Sequence, residues 1–520
     1  MSVISQHLRI INKGNPTLLF IFLFLLGTLF SCYKEVDITP DMPNELLFIN
    51  GKEVFFDNDQ MMALYPIPAY GTLVGTITCN NDYSFKMDGA EIADGTDYRF
   101  EIPDKDKAYL LSITSAEGET KVYNLKFTTL PLIQLTDRYS SVPKEDYIPA
   151  ILKLNDPNRD SEQTEYITIK VHGDTSSRRK KKSYGFNIQT DDHYHQTKST
   201  SLLGMYHYPS WILDAAYVDK SMVRNRISFD LWNEIQKENP SGERNTLFSA
   251  TQGYFVEVIE NGKYAGVYCL CENINETLLN EDNNLTSDNG IRCLYKSGGW
   301  SSGTRLTNYS DTSSHSATWG MWQQKYPSPD SMTLWKPLYD YVKFVSDASD
   351  QSFSSNIGQY MVLDQASDLY IFLNLLMASD NLGKNLFMTQ KKSENAFYVC
   401  PWDLDATWGR DWDGKKTNTG EIISFNLYDR LLEINPDHFN AKLSARWFSL
   451  RLSILTGENF SKLFNHYETQ LTVSGAAERE KERWPNSFND LETEDKYITQ
   501  WINQRIAVLD NYFATLKLAP

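Results

Sequence analysis

The sequence predicts a multidomain protein: an N-terminal immunoglobulin-like β-sandwich, then an α+β domain of two lobes. Three observations carry this. About 490 residues beyond the leader exceed what one hydrophobic core ordinarily supports. Short apolar stretches alternate with Gly, Asp and Asn turns from Leu46 to Thr129, as a small sandwich requires. From Leu334 onward apolar residues recur at helical spacing instead.

The N-terminus reads as a leader. Arg9 and Lys13 precede an apolar run from Leu18 to Phe30, and Ser31-Cys32 follows. A basic region, a short apolar region and a small residue before the cut describe a secretory signal. A cysteine directly after that cut resembles a bacterial lipoprotein signal, so residues 1–31 are expected to be removed and Cys32 to carry lipid. An uncleaved anchor is the competing reading, but the run is short for a comfortable span. Residues 32–44 read as a polar tether. The expected location is the cell envelope, lipid-anchored at the outer membrane, periplasmic or surface-exposed.

Residues 45–130 supply the sandwich, with strand candidates Leu46–Phe48, Gly71–Thr78, Ser84–Met87, Tyr98–Ile102, Tyr109–Ile113 and Val122–Phe127. No polar constellation there points to chemistry. The segment is expected to hold the next domain off the membrane, with glycan binding as a further role. Residues 131–510 form the main domain, strand-rich to about 297 and helical beyond, and 511–520 a tail.

The formal charge of −17 excludes nucleic-acid binding through the overall field. Against it, the cluster Arg178-Arg179-Lys180-Lys181-Lys182 points to a phosphate-rich or acidic ligand, or else to a solvated strand edge. The cysteines beyond the leader are Cys79, Cys269, Cys271, Cys293 and Cys400. They offer no four-ligand zinc pattern. A bridge from Cys293 to Cys269 or Cys271 and buried free thiols both stand open.

In the main domain, the strand candidate Tyr166–Val171 runs into His172-Gly173-Asp174-Thr175-Ser176-Ser177, and Tyr184–Ile188 resumes strand alternation. Hydroxyls, backbone amides and lysine heads of such a loop suit phosphates. Met222 opens a helix carrying Arg224 and Arg226 near its start, an unfavourable place for cations unless they meet something acidic. Tyr254–Leu270 is a hairpin turning at Asn261-Gly262, and Glu272 follows it, where a linker between lobes is expected.

The most informative residues lie between 380 and 405. Asp380-Asn381-Leu382-Gly383-Lys384-Asn385 and Asp403-Leu404-Asp405 flank a predicted hairpin that would bring both clusters to one end of a small sheet. Converging Asp and Asn oxygens suit a hard cation such as Mg²⁺. Turn and cap roles are the competing reading.

These motifs, in this order, resemble the spore-coat protein H (CotH) kinase family, whose fold is atypical protein-kinase-like. The likeness covers roughly residues 131–510. It rests on His172–Ser176 with Lys181–Tyr184, Trp211–Ala215, Met222–Arg226, Asn261–Tyr268, Asp380–Asn385 and Pro401–Gly409. His172 and Asp174 depart from the family's usual Arg and Asn, which bears on nucleotide or substrate affinity more than on fold.

The resemblance implies ATP- and Mg²⁺- (or Mn²⁺-) dependent phosphoryl transfer to protein hydroxyls. Asp380 would orient or deprotonate the acceptor and Lys384 steady the transferring group. Asn385, Asp403 and Asp405 would hold the metal, the first by the spacing of ordinary kinase catalytic loops. Lys182 would clamp phosphates, with Ser176, Ser177, Arg224 and Glu272 as further nucleotide contacts. Three functions follow as expectations: a kinase acting on secreted or surface proteins, an inactive relative binding a phosphorylated or acidic ligand, and a surface lipoprotein making protein or glycan contacts.

Overall fold

Alternating apolar residues at the start of the main chain build two sheets. The computed structural model describes residues 46–139, 141–174, 176–238, 250–282, 290–310, 316–488 and 490–517. The expected leader, Cys32 and the tether lie outside them. One sheet contains β1 (Leu47–Ile49), β2 (Lys52–Glu53), β5 (Gly71–Cys79) and β8 (Thr96–Ile102), in the order β2-β1-β5-β8. The other contains β3 (Phe55–Asp57), β4 (Met62–Pro66), β6 (Tyr83–Met87), β7 (Ala90–Ile92), β9 (Ala108–Ser115) and β10 (Thr120–Thr128). Its order is β3-β4-β10-β9-β6-β7, with β4 and β10 parallel. Ile49, Ile77 and Phe100 of the first sheet share a core with Phe85, Leu111 and Leu125 of the second.

Seven strands follow: β11 (Leu132–Thr136), β12 (Ile148–Asn155), β13 (Gln163–His172), β14 (Ser183–Ile188), β15 (Ser210–Asp214), β16 (Gly253–Glu260) and β17 (Lys263–Glu272). They form a closed barrel in the order β11-β12-β13-β14-β15-β17-β16. This corrects the fold class expected from sequence: the strand-rich N-terminal part closes into a β-barrel and is not an immunoglobulin-like sandwich. The closing pair is parallel and joins Leu132 to Glu257, a pairing that no local turn encodes. Strands of two or three residues, such as β2 and β3, likewise leave too little alternation to read.

One helix interrupts the barrel between β15 and β16, and beyond the barrel the chain alternates helices with a third open sheet. The helices are α1 (Arg224–Lys237), α2 (Glu276–Asp282), α3 (Lys336–Asp347), α4 (Asp350–Asn356) and α5 (Leu363–Leu376). They continue with α6 (Asn426–Ile434), α7 (Phe439–Arg451), α8 (Gly457–Val473), α9 (Ala476–Arg483) and α10 (Leu491–Leu516). The sheet joins β18 (Ile291–Ser297), β19 (Thr318–Trp319), β20 (Trp322–Tyr326), β21 (Leu386–Lys391) and β22 (Tyr398–Pro401), in the order β19-β20-β18-β21-β22. Strand content thus continues past residue 297, and β18 is the partner of the late hairpin.

Buried ion pairs fix the parts together. Lys153 on β12 meets Glu53 on β2 at 2.6 Å, and Arg479 on α9 makes two 2.7 Å bonds to Glu257 on β16. The next residue of α9, Glu480, pairs with Lys181 at 2.8 Å and accepts the Val267 amide at 2.7 Å. Gly266 makes this contact possible: its φ is +111°, and any Cβ there would collide with the Glu480 carboxylate. Among the described residues the five cysteines are free thiols, four of them buried. Among the described residues, no helix is long and apolar enough to cross a membrane.

Candidate functional site

Helix α5 is buried along nearly its whole length, so its end is held firmly. Met377 caps it in the left-handed conformation, and the chain turns into a short 3-10 segment, Ser379–Asn381, that presents Asp380. The hairpin β21–β22 then pairs Leu386 with Pro401. The two motif limbs therefore emerge side by side. Asn381 staples them: its Nδ2 donates to the carbonyls of Asn385 (3.1 Å) and Trp402 (2.7 Å). The Trp402 amide donates to the Asn385 carbonyl at 2.8 Å. Gly383, at φ +82°, lets the 298–305 loop press against this turn; a Cβ would lie 2.8 Å from the Thr304 carbonyl.

Asn385 and Asp403 both adopt positive φ, 55° and 59°. Asn and Asp tolerate this region best, and such outliers concentrate at functional sites. Asp380 accepts at one oxygen, Oδ2, from Lys384 Nζ (2.7 Å) and Asn385 Nδ2 (2.9 Å). Asp380, Lys384 and Asn385 are therefore in direct contact.

Asp403 and Asp405 stand differently. Among the described residues, neither carboxylate accepts a hydrogen bond or forms an ion pair. Asp403 is open to solvent yet surrounded by protein mass, as at the floor of a cleft. Desolvation raises its pKa, Asp380 and Asp214 add to this, and Lys296 opposes it. Desolvation likewise pushes Asp405 well above the carboxylate range, followed by repulsion from Asp403, Asp214, Asp219 and Asp380. Two adjacent, unpaired acids that discourage each other's charge call for a cation.

The barrel adds Asp214, at the end of β15. Its carboxylate accepts from Asn225 Nδ2 (2.9 Å), and Asn225 Oδ1 accepts the Leu404 amide (3.0 Å), tying barrel to acidic loop. Opposite lies a cationic wall. Lys296 on β18 sits over the rings of Trp402 (5.3 Å) and Phe387 (5.4 Å) and makes no hydrogen bond among the described residues. Burial pushes its pKa down to about 8, aided by Lys325 and Lys384 and opposed by Asp403. His172, at the end of β13, is held neutral: burial, then Lys296, Lys325 and Lys170, bring it down to about 3. Carboxylates and amines thus stand close together here, Lys384 in direct contact with Asp380 and Lys296 acting on Asp403.

In the basic loop, Lys144 at 3.1 Å holds the exposed Asp174 carboxyl low, followed by Arg178 and Lys384. Lys182 itself is turned inward, donating to the Ser177 carbonyl at 2.6 Å, while Ser177 Oγ donates to the Asp174 carbonyl. Ser176 lies in the same short turn, and Thr175 falls outside the described residues. Arg224 is fully buried and donates to Asp219, Glu494 (2.8 Å) and the Thr407 carbonyl (3.1 Å). It touches the acidic group only through Asp219. Glu272 is buried and accepts the amides of Gln252 (3.0 Å) and Tyr206 (3.4 Å).

Sequence reasoning missed Lys296, Lys325, Asp214 and Asn225. A lysine closing the strand Leu294-Tyr295-Lys296, and an aspartate closing Trp211-Ile212-Leu213, were the available signals: a charge at the end of an otherwise apolar run. No group of three or more His, Cys, Asp or Glu side chains is poised as a metal site among the described residues. The oxygen donors present still fit Mg²⁺, which takes one or two carboxylates and completes its shell with water and substrate phosphates.

A family model described as CotH kinase protein matches residues 169–509, which include both acidic motifs, the barrel hairpin and Lys296. The inner spore coat protein H of Bacillus subtilis (strain 168) is 24% identical over 296 residues, covering 56% of this chain and 72% of that protein. With the family match spanning well over half its length, the chain belongs to the CotH kinase family.

Proposed function

We propose that the chain transfers the terminal phosphoryl group of ATP to hydroxyls of secreted or surface proteins, in the presence of Mg²⁺ or Mn²⁺. Family membership supports phosphotransfer in general. The observation that carries the finer reading is the absence of hydrogen bonds and ion pairs at the Asp403 and Asp405 carboxylates among the described residues, with Lys296 seated over the adjoining Trp402 ring at 5.3 Å. A polyanion and a divalent cation together neutralise both sides of such a cleft.

In this reading Asp403 and Asp405, with the side-chain oxygen of Asn385, hold the cation. When bound, the cation would screen the carboxylates and polarise phosphate oxygens. Lys296, with Lys325 behind it, takes the charge of the phosphates, a role the sequence reading gave to Lys182. Asp380 has one oxygen engaged by Lys384 and Asn385, which leaves Oδ1 to accept the proton of an acceptor hydroxyl. The acceptor oxygen bonds to the γ-phosphorus, the bond to the β-bridging oxygen breaks, and ADP departs. Lys384 stays beside Asp380 and limits charge build-up as the phosphoryl group moves.

We also infer export and lipidation at Cys32, which would place the cleft in the cell envelope facing exported proteins. Intact-mass analysis of membrane-extracted protein tests this: a mature chain starting at an unmodified residue other than Cys32 would sink it.

The decisive experiment for transfer is incubation with γ-labelled ATP and Mg²⁺ or Mn²⁺, followed by detection of label on protein. Label is expected with wild type and absent with Asp380→Asn and Asp403→Asn, both retaining the wild-type circular dichroism. Equal transfer by Asp403→Asn would remove the metal assignment.

A further inference from the structure

A groove of about 600 Å³ opens where the two leading sheets meet the barrel, away from the acidic motifs. Its size falls within the range of small-molecule sites. β11 supplies one wall: Ile133 and Leu135 point into the barrel core, so Gln134 between them faces outward into the groove. Gln134 is only 7% exposed, and its Oε1 accepts no hydrogen bond. A buried amide oxygen left without a donor is costly unless a ligand supplies one.

The surrounding groups are rigidly placed. Asn58 donates its amide to the Gly262 carbonyl at 2.9 Å and accepts the Tyr123 hydroxyl at 2.8 Å, bridging leading sheet and barrel hairpin across the groove. Glu53 is neutralised by Lys153 at 2.6 Å. That leaves Glu119 and Lys121 as the charges open to an occupant, with Glu117 held by Ser115 and with Tyr83 and Phe56 as partly exposed rings.

We propose that this groove binds a neutral saccharide chain. Its polar lining offers acceptors in Gln134 Oε1 and the Glu119 carboxylate and donors in the Lys121 ammonium and the Tyr83 hydroxyl. An occupant must therefore both donate and accept, and two carboxylates against one lysine disfavour a phosphate or uronate. Vicinal hydroxyls meet these acceptors in pairs, and the C–H faces of a pyranose pack on rings such as Tyr83 and Phe56. The site is independent of the phosphotransferase cleft, so either assignment can fail alone.

The test titrates the full chain by calorimetry with neutral hexasaccharides: β-1,4-glucan, β-1,3-glucan, α-1,4-glucan, xylan and mannan. Saturable binding of at least one is expected. Gln134→Leu, which removes the orphan acceptor at nearly equal volume, should weaken it at least tenfold, as should Tyr83→Ala. Asp403→Asn should leave it unchanged. Absence of binding to every hexasaccharide overturns the proposal, as does affinity unaffected by both groove variants. Tighter binding of spermine or oligolysine than of any sugar overturns it too, assigning the groove to cations.

Discussion

The Lys181 ammonium and the Glu480 carboxylate meet at 2.8 Å in a seam closed to solvent, joining the start of β14 to α9. Removing one partner strands the other charge where water cannot reach it. Lys181→Met or Glu480→Gln should each destabilise the fold by about 3–5 kcal/mol. The double change Lys181→Met/Glu480→Leu should cost less than either alone, because no charge is left unpaired. Urea unfolding midpoints check this; additive losses in the double variant would refute it.

Asn381 holds the two halves of the acidic site together through one amide nitrogen. Asn381→Asp replaces that donor with an acceptor facing two carbonyls, so the limbs should part slightly. A shift of about 1 Å in reacting groups costs on the order of a hundredfold in rate. The expected result is a kcat reduced by about that factor with the KM for ATP nearly constant. A change confined to KM would show that the staple shapes binding and not chemistry.

The hairpin beneath this staple was legible in the sequence because it is local; the Asn381 contacts were not. The turn residues between Leu386–Met388 and Phe397–Cys400 specify a hairpin, and a hairpin necessarily brings residue 385 beside residue 402. The barrel was not legible, since its closure pairs Leu132 with Glu257 in parallel, and parallel pairing leaves no turn signature. Nor was the cationic wall. Lys296 and Lys325 come from neighbouring strands, the neutral His172 beside them comes from the barrel rim, and only packing makes them neighbours. Lys182 looked suitable by position in a basic run, yet its ammonium folds back onto its own loop.

Asp403 and Asp405 carry raised pKa values, so the folded chain holds protons there more tightly than the unfolded chain does. Their ionisation therefore lowers stability as pH climbs above the ordinary carboxylate range, and the deficit grows until pH exceeds the raised folded pKa values. A cation should relieve it. Adding Mg²⁺ to about 10 mM should raise Tm by about 2–4 °C near neutrality and by less as pH falls towards the ordinary carboxylate range, where protons compete for the pair. Asp403→Asn/Asp405→Asn should be more stable than wild type without Mg²⁺ and insensitive to it. Differential scanning calorimetry decides, and an equal Mg²⁺ shift in the double variant would place the ion elsewhere.

Lys296 combines a cost and a function that the same substitution should separate. Its pKa is pushed down to about 8 by burial, and its ammonium has no hydrogen-bond partner among the described residues. A base whose folded pKa lies below its unfolded value weakens the fold while it is charged. That cost is full below about pH 8 and fades as pH rises towards the ordinary lysine value. Lys296→Met should therefore raise Tm by about 1–3 °C at neutral pH. The same variant should bind ATP about tenfold to a hundredfold more weakly, the worth of a charge-assisted contact. Wild-type affinity should fall as pH rises through about 8, where the ammonium discharges. Lys296→Arg, whose guanidinium stays charged, should show no such fall. Nucleotide titrations from pH 6.5 to 9 on the three proteins provide the check, and a Met variant that follows the wild-type pH profile would dismiss Lys296 as the phosphate-holding group.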